Sequence, residues 1–153
     1  MMRKFHWRNF VFLFMLTFSS LNLKAQSLTF EETVKYIQDK FECCVAFHDA
    51  GSLETITQNG RITFYSEVFD IFDWIFDMDW DYSEWGHAYV KGKKILCLNK
   101  NELKVIEKFD DCANCYHVRN IAEFHTRGDA EKVFKAFKHL KTLCTPEADP
   151  FGN

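Results

Sequence analysis

Apolar residues from Leu28 onward recur with two different periods, and the change from one to the other marks the elements. In LTFEETVKYIQDKF, Leu28 to Phe41, the residues Phe30, Val34, Ile37 and Phe41 step by four, three and four. That spacing places them on one face of a helix. Thr29 followed by Glu32 predicts a capping box at its start, each side chain taking the other's backbone amide. CCVAF, Cys43 to Phe47, is short and apolar and reads as a strand. The period drops to two in TITQNGRITFY, Thr55 to Tyr65, where Ile56, Ile62 and Phe64 line the strands. Asn59-Gly60 tolerates the positive φ angles of a two-residue turn, so this segment is a predicted hairpin.

The stretch FDIFDWIFDMDWDYSEW, Phe69 to Trp85, is dense in aromatic rings and carboxylates. Ile71-Phe72 and Trp74-Ile75-Phe76 break the alternation that a half-buried strand requires. On a helical wheel, Asp70, Asp73 and Asp77 fall in one stripe, with Glu67 at its edge. The pattern therefore predicts a helix at about 67–78, buried on most of its surface. Beyond Met78, Trp80 and Tyr82 alternate with Asp79 and Asp81, which suits a strand. Gly86 to Gly92 is turn-rich. Lys93 to Leu98 and Leu103 to Phe109 read as strands, and the DDCAN segment after them as a turn. Tyr116 to Phe124 reads as the last strand, with Tyr116, Val118, Ala122 and Phe124 expected on one face. Asp129 is the expected cap of a final helix whose inner face holds Val133, Ala136, Phe137, Leu140 and Leu143. Lys132, Lys135, Lys138 and Lys141 lie off that face, three of them toward the carbonyl end that favours cations. Pro146 stops the helix, and the tail from about residue 146 reads as loose. The expected fold is α+β: an antiparallel sheet bracketed by an N-terminal and a C-terminal helix, with one further helix at about 67–78.

The N-terminus changes the picture. Arg3, Lys4 and Arg8 precede an apolar run from Phe10 to Phe18, and Leu23 and Ala25 suit a cleavage site before Gln26. Residues 1–25 thus read as a secretory signal peptide, the run being too short for the ~20 residues of a membrane span. The leader carries four of the 19 basic residues (Arg3, Lys4, Arg8 and Lys24) and no acid. The remainder holds 15 against 22 acids, a net charge of −7. So acidic a chain is a poor ligand for nucleic acid, whose binding rests on neutralising phosphates. Residues 26–153 suit a single domain, with no membrane span after cleavage and a destination in the periplasm or outside the cell. Oxidising conditions there make disulfides the first reading of Cys43, Cys44, Cys97, Cys112, Cys115 and Cys144. Cys43 and Cys44 are neighbours and are expected to pair with two different partners.

Candidate chemistry is sparse. Asp77, Asp79, Asp81 and Glu84 have the spacing of a calcium loop, but Tyr82 and Ala88 stand where that loop needs glycine and glutamate. A solvated acidic edge fits better, and no metal is expected. Trp74, Trp80, Tyr82 and Trp85 form the candidate ligand-binding set, since aromatic faces offer flat apolar area with a polar tip. Cys112 and Cys115 form a C-x-x-C, but it precedes a strand and follows two aspartates, whereas a reactive thiolate prefers a helix N-terminus. A zinc site there, with His117 or His125, lacks a second cysteine pair. No nucleophile motif is present.

Two resemblances add expectations. DAEKVFKAFKHLKTLC with DPF after it, residues 129–151, is similar to the ending of a group of small, uncharacterised exported bacterial proteins. Residues 28–41 resemble the first helix of that group. This resemblance implies two helices around an antiparallel sheet and no activity. Residues 28–98, above all RITFYSEVFDIFDWIFDMDWDYSEWGHAYVKGKKILCL, resemble the secretin and TonB N-terminal domain, in which a strand, a helix and a closing hairpin recur. That resemblance implies a periplasmic docking or signalling module. The expected function is a non-catalytic binding or interaction protein without cofactor, acting on an unknown protein or small ligand. A docking module is the alternative, and a thiol-disulfide or hydrolytic enzyme the third reading.

Overall fold

A computed structural model describes residues 27–46, 53–78, 94–108 and 116–148. The first helix, α1, spans Phe30–Cys44 and starts on the expected capping box. The amide of Glu32 donates to Thr29 Oγ1 at 3.2 Å, and the amide of Thr29 donates to the Glu32 carboxylate at 2.8 Å. A cap of this kind contributes about 1 kcal/mol. The helix runs through Cys44, so the expected strand at Cys43 is reduced to one bridge between Val45 and Phe124.

Three strands follow as an antiparallel sheet: β1 (Leu53–Ile56), β2 (Arg61–Phe64) and β3 (Glu67–Asp70). The predicted hairpin is present, but its turn differs from the two-residue form. The amide of Gly60 donates to the carbonyl of Thr57, and that of Thr57 to Arg61, leaving three residues between the last bonded pair. Gly60 alone carries the positive φ, +87°, the glycine position of a three-residue hairpin loop.

Residues 67–78 are not helical. They form β3, a 3-10 turn at Ile71–Asp73, and β4 at Trp74–Met78. The turn is capped by the Asp70 carboxylate, which accepts from the amide of Phe72 at 2.8 Å. This single turn resets the phase of the alternation. Val68 and Asp70 face out and Phe69 in, but after the turn the buried residue is Trp74. Ile75 and Phe76 then look equally apolar because both faces of the next sheet are covered. Residues 67–78 therefore do not form the helix that the secretin and TonB resemblance implies between its strand and closing hairpin.

The second sheet has the order β4-β5-β6-β7, with β5 at Lys94–Asn99, β6 at Glu102–Lys108 and β7 at Tyr116–Glu123. It is mixed, not antiparallel: β4 and β5 run parallel, and the other pairs are antiparallel. Leu103 faces Ala122 while Lys104 faces Asn120, so Ile121 is an extra residue in β7. Such a bulge changes which face the later residues meet. Tyr116 and Val118 therefore line the outer face, whereas Ala122 and Phe124 join the main core, and the four do not share a side.

The last helix, α2, spans Arg127–Leu143. Its cap is Thr126, not Asp129. Thr126 Oγ1 accepts from the amide of Asp129 and donates to the Asp129 carboxylate at 2.8 Å. Ala130, Val133, Phe134, Phe137 and Leu140 are buried. The helices do not bracket the sheet. Both bury into one core shared with both sheets, and Lys40 of α1 pairs with Asp129 of α2 at 2.7 Å. Within that core Phe137 stands edge-on to Trp74 with ring centres 5.6 Å apart, and Phe134 to Phe76 at the same separation. Each such contact is worth about 0.5–1.5 kcal/mol beyond area burial. Lys141 leaves the solvent side and donates to the carbonyls of Phe72 and Trp74 at 3.2 and 2.8 Å. It thereby covers part of the β4 edge that no described strand pairs with. Beyond the helix, the amide of Thr145 donates to Gln58 and Arg61 pairs with Glu147, so the start of the tail lies along the β1–β2 hairpin. No helix among the described residues is long and apolar enough to cross a membrane.

Candidate functional site

Of the four aromatic candidates, Trp74 is placed and Trp80, Tyr82 and Trp85 lie outside the described residues. Trp74 is 1% exposed and packs among Phe69, Phe76 and Phe137. Its ring offers no face to a ligand, because strand β4 points it under α2. Of the calcium-like acids only Asp77 is described; Asp79, Asp81 and Glu84 fall outside, as do the leader at 1–25, the Gly86–Gly92 turn, and Cys112 and Cys115. Among the described residues no group of three or more metal-ligating side chains converges.

The described cysteines divide three ways. Cys43 and Cys44 are bonded to each other, not to two separate partners. Cys97 and Cys144 are buried free thiols and belong to different apolar clusters, Cys97 outside the second sheet and Cys144 in the main core. The expected staple between distant elements is not made by these four. The reason is positional: α1 carries Cys43 and Cys44 together to its last turn, while Cys97 sits mid-strand and Cys144 beneath the β1–β2 hairpin. Cys97 lies in a row across the outer sheet face with Asp77, Lys104 and Asn120, fixed by strand register. Burial pushes its thiol up to about 12; the Lys104 charge opposes this and Asp77 adds to it. It is therefore a protonated, unreactive thiol at neutral pH. Burial likewise raises Cys144.

A different surface feature carries binding potential. Phe64 pairs with Glu67, so β2 and β3 are joined by the two residues Tyr65 and Ser66. Both hold positive φ, +50° and +61°. This geometry ordinarily takes Asn-Gly or Gly-Gly, and each non-glycine residue there costs roughly 1 kcal/mol. The amide of Ser66 is held by the Glu54 carboxylate on β1 at 2.8 Å. Tyr65 is 48% exposed, and Val68, three residues on, is 54% exposed. On the outer side Val68 continues the row Thr55–Thr63, whose hydroxyls bond at 2.9 Å. Behind the turn, Glu67 pairs with Arg119, and Lys94 and Arg119 stand over the Phe69 ring at 5.2 and 6.0 Å. These contacts anchor β3 to the second sheet and hold the turn on a rigid base. Sequence reasoning missed this turn because Tyr-Ser is not a turn dipeptide; Tyr65 reads simply as the end of a strand.

The chain matches no protein-family model, no curated protein and no solved structure.

Proposed function

We propose that the protein is an exported, non-catalytic binding or interaction module, and that it meets its partner, a protein or a small ligand, through the β2–β3 turn. The supporting observation is the Tyr65–Ser66 pair. Two residues with side chains hold a left-handed backbone that glycine would hold without strain. Strain of this kind concentrates where recognition residues must be displayed in one geometry. A tyrosine so displayed presents a rigid amphipathic ring at little entropic cost on binding. Val68 and the Thr55–Thr63 row extend the surface with β-branched side chains. The acidic balance of residues 26–153 disfavours a nucleic acid as the partner, and the apolar leader supports export.

The reading is tested with a photo-crosslinking residue at position 65, and a control at Lys135 on the exposed side of α2, in the native exporting host. A discrete adduct from position 65, competed by excess unlabelled protein but not by the Tyr65→Asn/Ser66→Gly double variant, is expected. Adducts of equal yield from both positions, or competition by the double variant, would overturn it. N-terminal sequencing of the same material should begin at Gln26; an intact Met1 in the cytoplasm would overturn export.

A further inference from the structure

We propose that the adjacent cysteines at the end of α1 form a thiol-exchange site, with Cys43 as the sulfur attacked and Cys44 as the leaving group. This inference does not rest on the binding surface at Tyr65. A bridge between neighbours encloses no intervening chain, so it removes almost no loop entropy from the unfolded state and is not a staple. Their Cα atoms are 3.7 Å apart, as any trans peptide requires. Ordinary bridges span roughly 4.4–6.8 Å, and departure from that range makes the bond easier to reduce. A bond that adds little stability and opens readily is suited to exchange.

The surroundings of the two sulfurs differ, which gives the exchange a direction. Cys43 is exposed, whereas Cys44 is half-buried and packs against the main core. Lys40, one turn earlier, places its ammonium 3.8 Å from Cys44 Sγ. A neighbouring cation favours the thiolate, and the sulfur with the more stable thiolate leaves faster. The carbonyl end of α1 works against a thiolate, and Lys40 is the group that offsets it. The incoming reactant is the thiolate of a small thiol. It attacks Cys43 Sγ, the bond between the two sulfurs breaks, and its electron pair passes to Cys44 Sγ beside Lys40. The product is a mixed disulfide at Cys43. A second thiol molecule attacks the added sulfur, releasing Cys43 and a disulfide of the small thiol. Two thiols are thus oxidised while the bridge takes up two electrons and, at lower pH, two protons.

Lys40 also holds Asp129 at 2.7 Å, so the Cys44 thiolate competes for the ion pair that joins α1 to α2. Opening the bridge therefore weakens the link between the two helices at this point.

The test uses the full chain, oxidised in air, treated with glutathione and quenched with acid. Trypsin releases Phe41–Arg61, or Tyr36–Arg61 from a chain without the Lys40 cleavage site, and either peptide contains Cys43 and Cys44 and no other cysteine. The untreated peptide should be lighter by two hydrogens than the dithiol. Treated protein should carry glutathione on Cys43 in preference to Cys44. Lys40→Met should slow opening by about three- to tenfold through the poorer leaving group. Asp129→Asn, which breaks the same ion pair but keeps the ammonium beside Cys44, should not slow it. Recovery of both residues as free thiols after oxidation, or bridged to other cysteines, would overturn the proposal. So would glutathione shared equally between the two sulfurs, or equal slowing by Lys40→Met and Asp129→Asn.

Discussion

Replacing glycine by alanine should have opposite effects at two places in this fold. Gly60 lies at φ +87°, where a Cβ is disfavoured by roughly 1 kcal/mol or more. A Cβ built there would sit 2.8 Å from Ile71 Cγ2 and 2.8 Å from Phe72 Cε2. Ile71 is fully buried, and the backbone is pinned because its amide donates to the carbonyl of Gly60 at 2.9 Å. Ile71 cannot withdraw freely, so overpacking adds roughly 1–3 kcal/mol. Gly60→Ala should therefore destabilise by about 2–5 kcal/mol. For a domain of this size that lowers the Tm by roughly 8–20 °C, at about 4 °C per kcal/mol. Gly128, in the first turn of α2, has an ordinary backbone and only Thr126 Oγ1 near its Cβ position, at 3.8 Å. Gly128→Ala should stabilise by about 0.4–1 kcal/mol, through the lost freedom of the unfolded chain. Urea unfolding followed by tryptophan fluorescence measures both, since Trp74 reports on the core. An unchanged midpoint for Gly60→Ala, or shifts of the same sign at both sites, would refute the close approach of the β1–β2 turn to Ile71.

Asp129 is held below the usual carboxylate range by its hydrogen bond from Lys40, with Thr126 adding to the effect. A depressed folded pKa contributes stability above about pH 4, lost as the pH falls through the folded value. Acid titration of unfolding should show this component in the native chain and not in Asp129→Asn. The raised Cys97 thiol has the opposite sign. Its contribution is complete below about pH 8.5 and fades as the pH rises toward about 12, so Cys97→Ala should flatten the alkaline fall in the unfolding midpoint. In the folded chain at neutral pH, Cys97 should resist alkylation that it accepts readily in urea; rapid labelling would contradict its burial.

What could be read from the sequence was local. The α1 cap needs only Thr29 and Glu32, three residues apart, and the strands at 94–99 and 102–108 announce themselves by apolar runs. What could not be read depended on distant partners. Residues 67–78 look helical because a three-residue turn shifts the phase of two strands, and because β4 is covered on both faces. The Ile121 bulge leaves no mark in composition, so the face switch along β7 was invisible. Trp74 looked like a ligand platform from its aromatic neighbours, yet the residue that covers it, Phe137, lies 63 positions later. The exchange geometry at Cys43 and Cys44 was hidden by the ordinary expectation that neighbours bridge outward.

The position of α2 in the chain has a consequence for biosynthesis. Phe137 touches Phe41, Phe64 and Trp74, one ring from each earlier part of the core. A ribosome delivers those three long before the residue that joins them. Until α2 emerges, the nascent polypeptide holds aromatic rings that await Phe137 and two carbonyls, of Phe72 and Trp74, that await Lys141, and exposed rings of this kind are what holdase chaperones recognise. A message truncated just before Arg127 would leave every described strand intact in sequence and no keystone to close them.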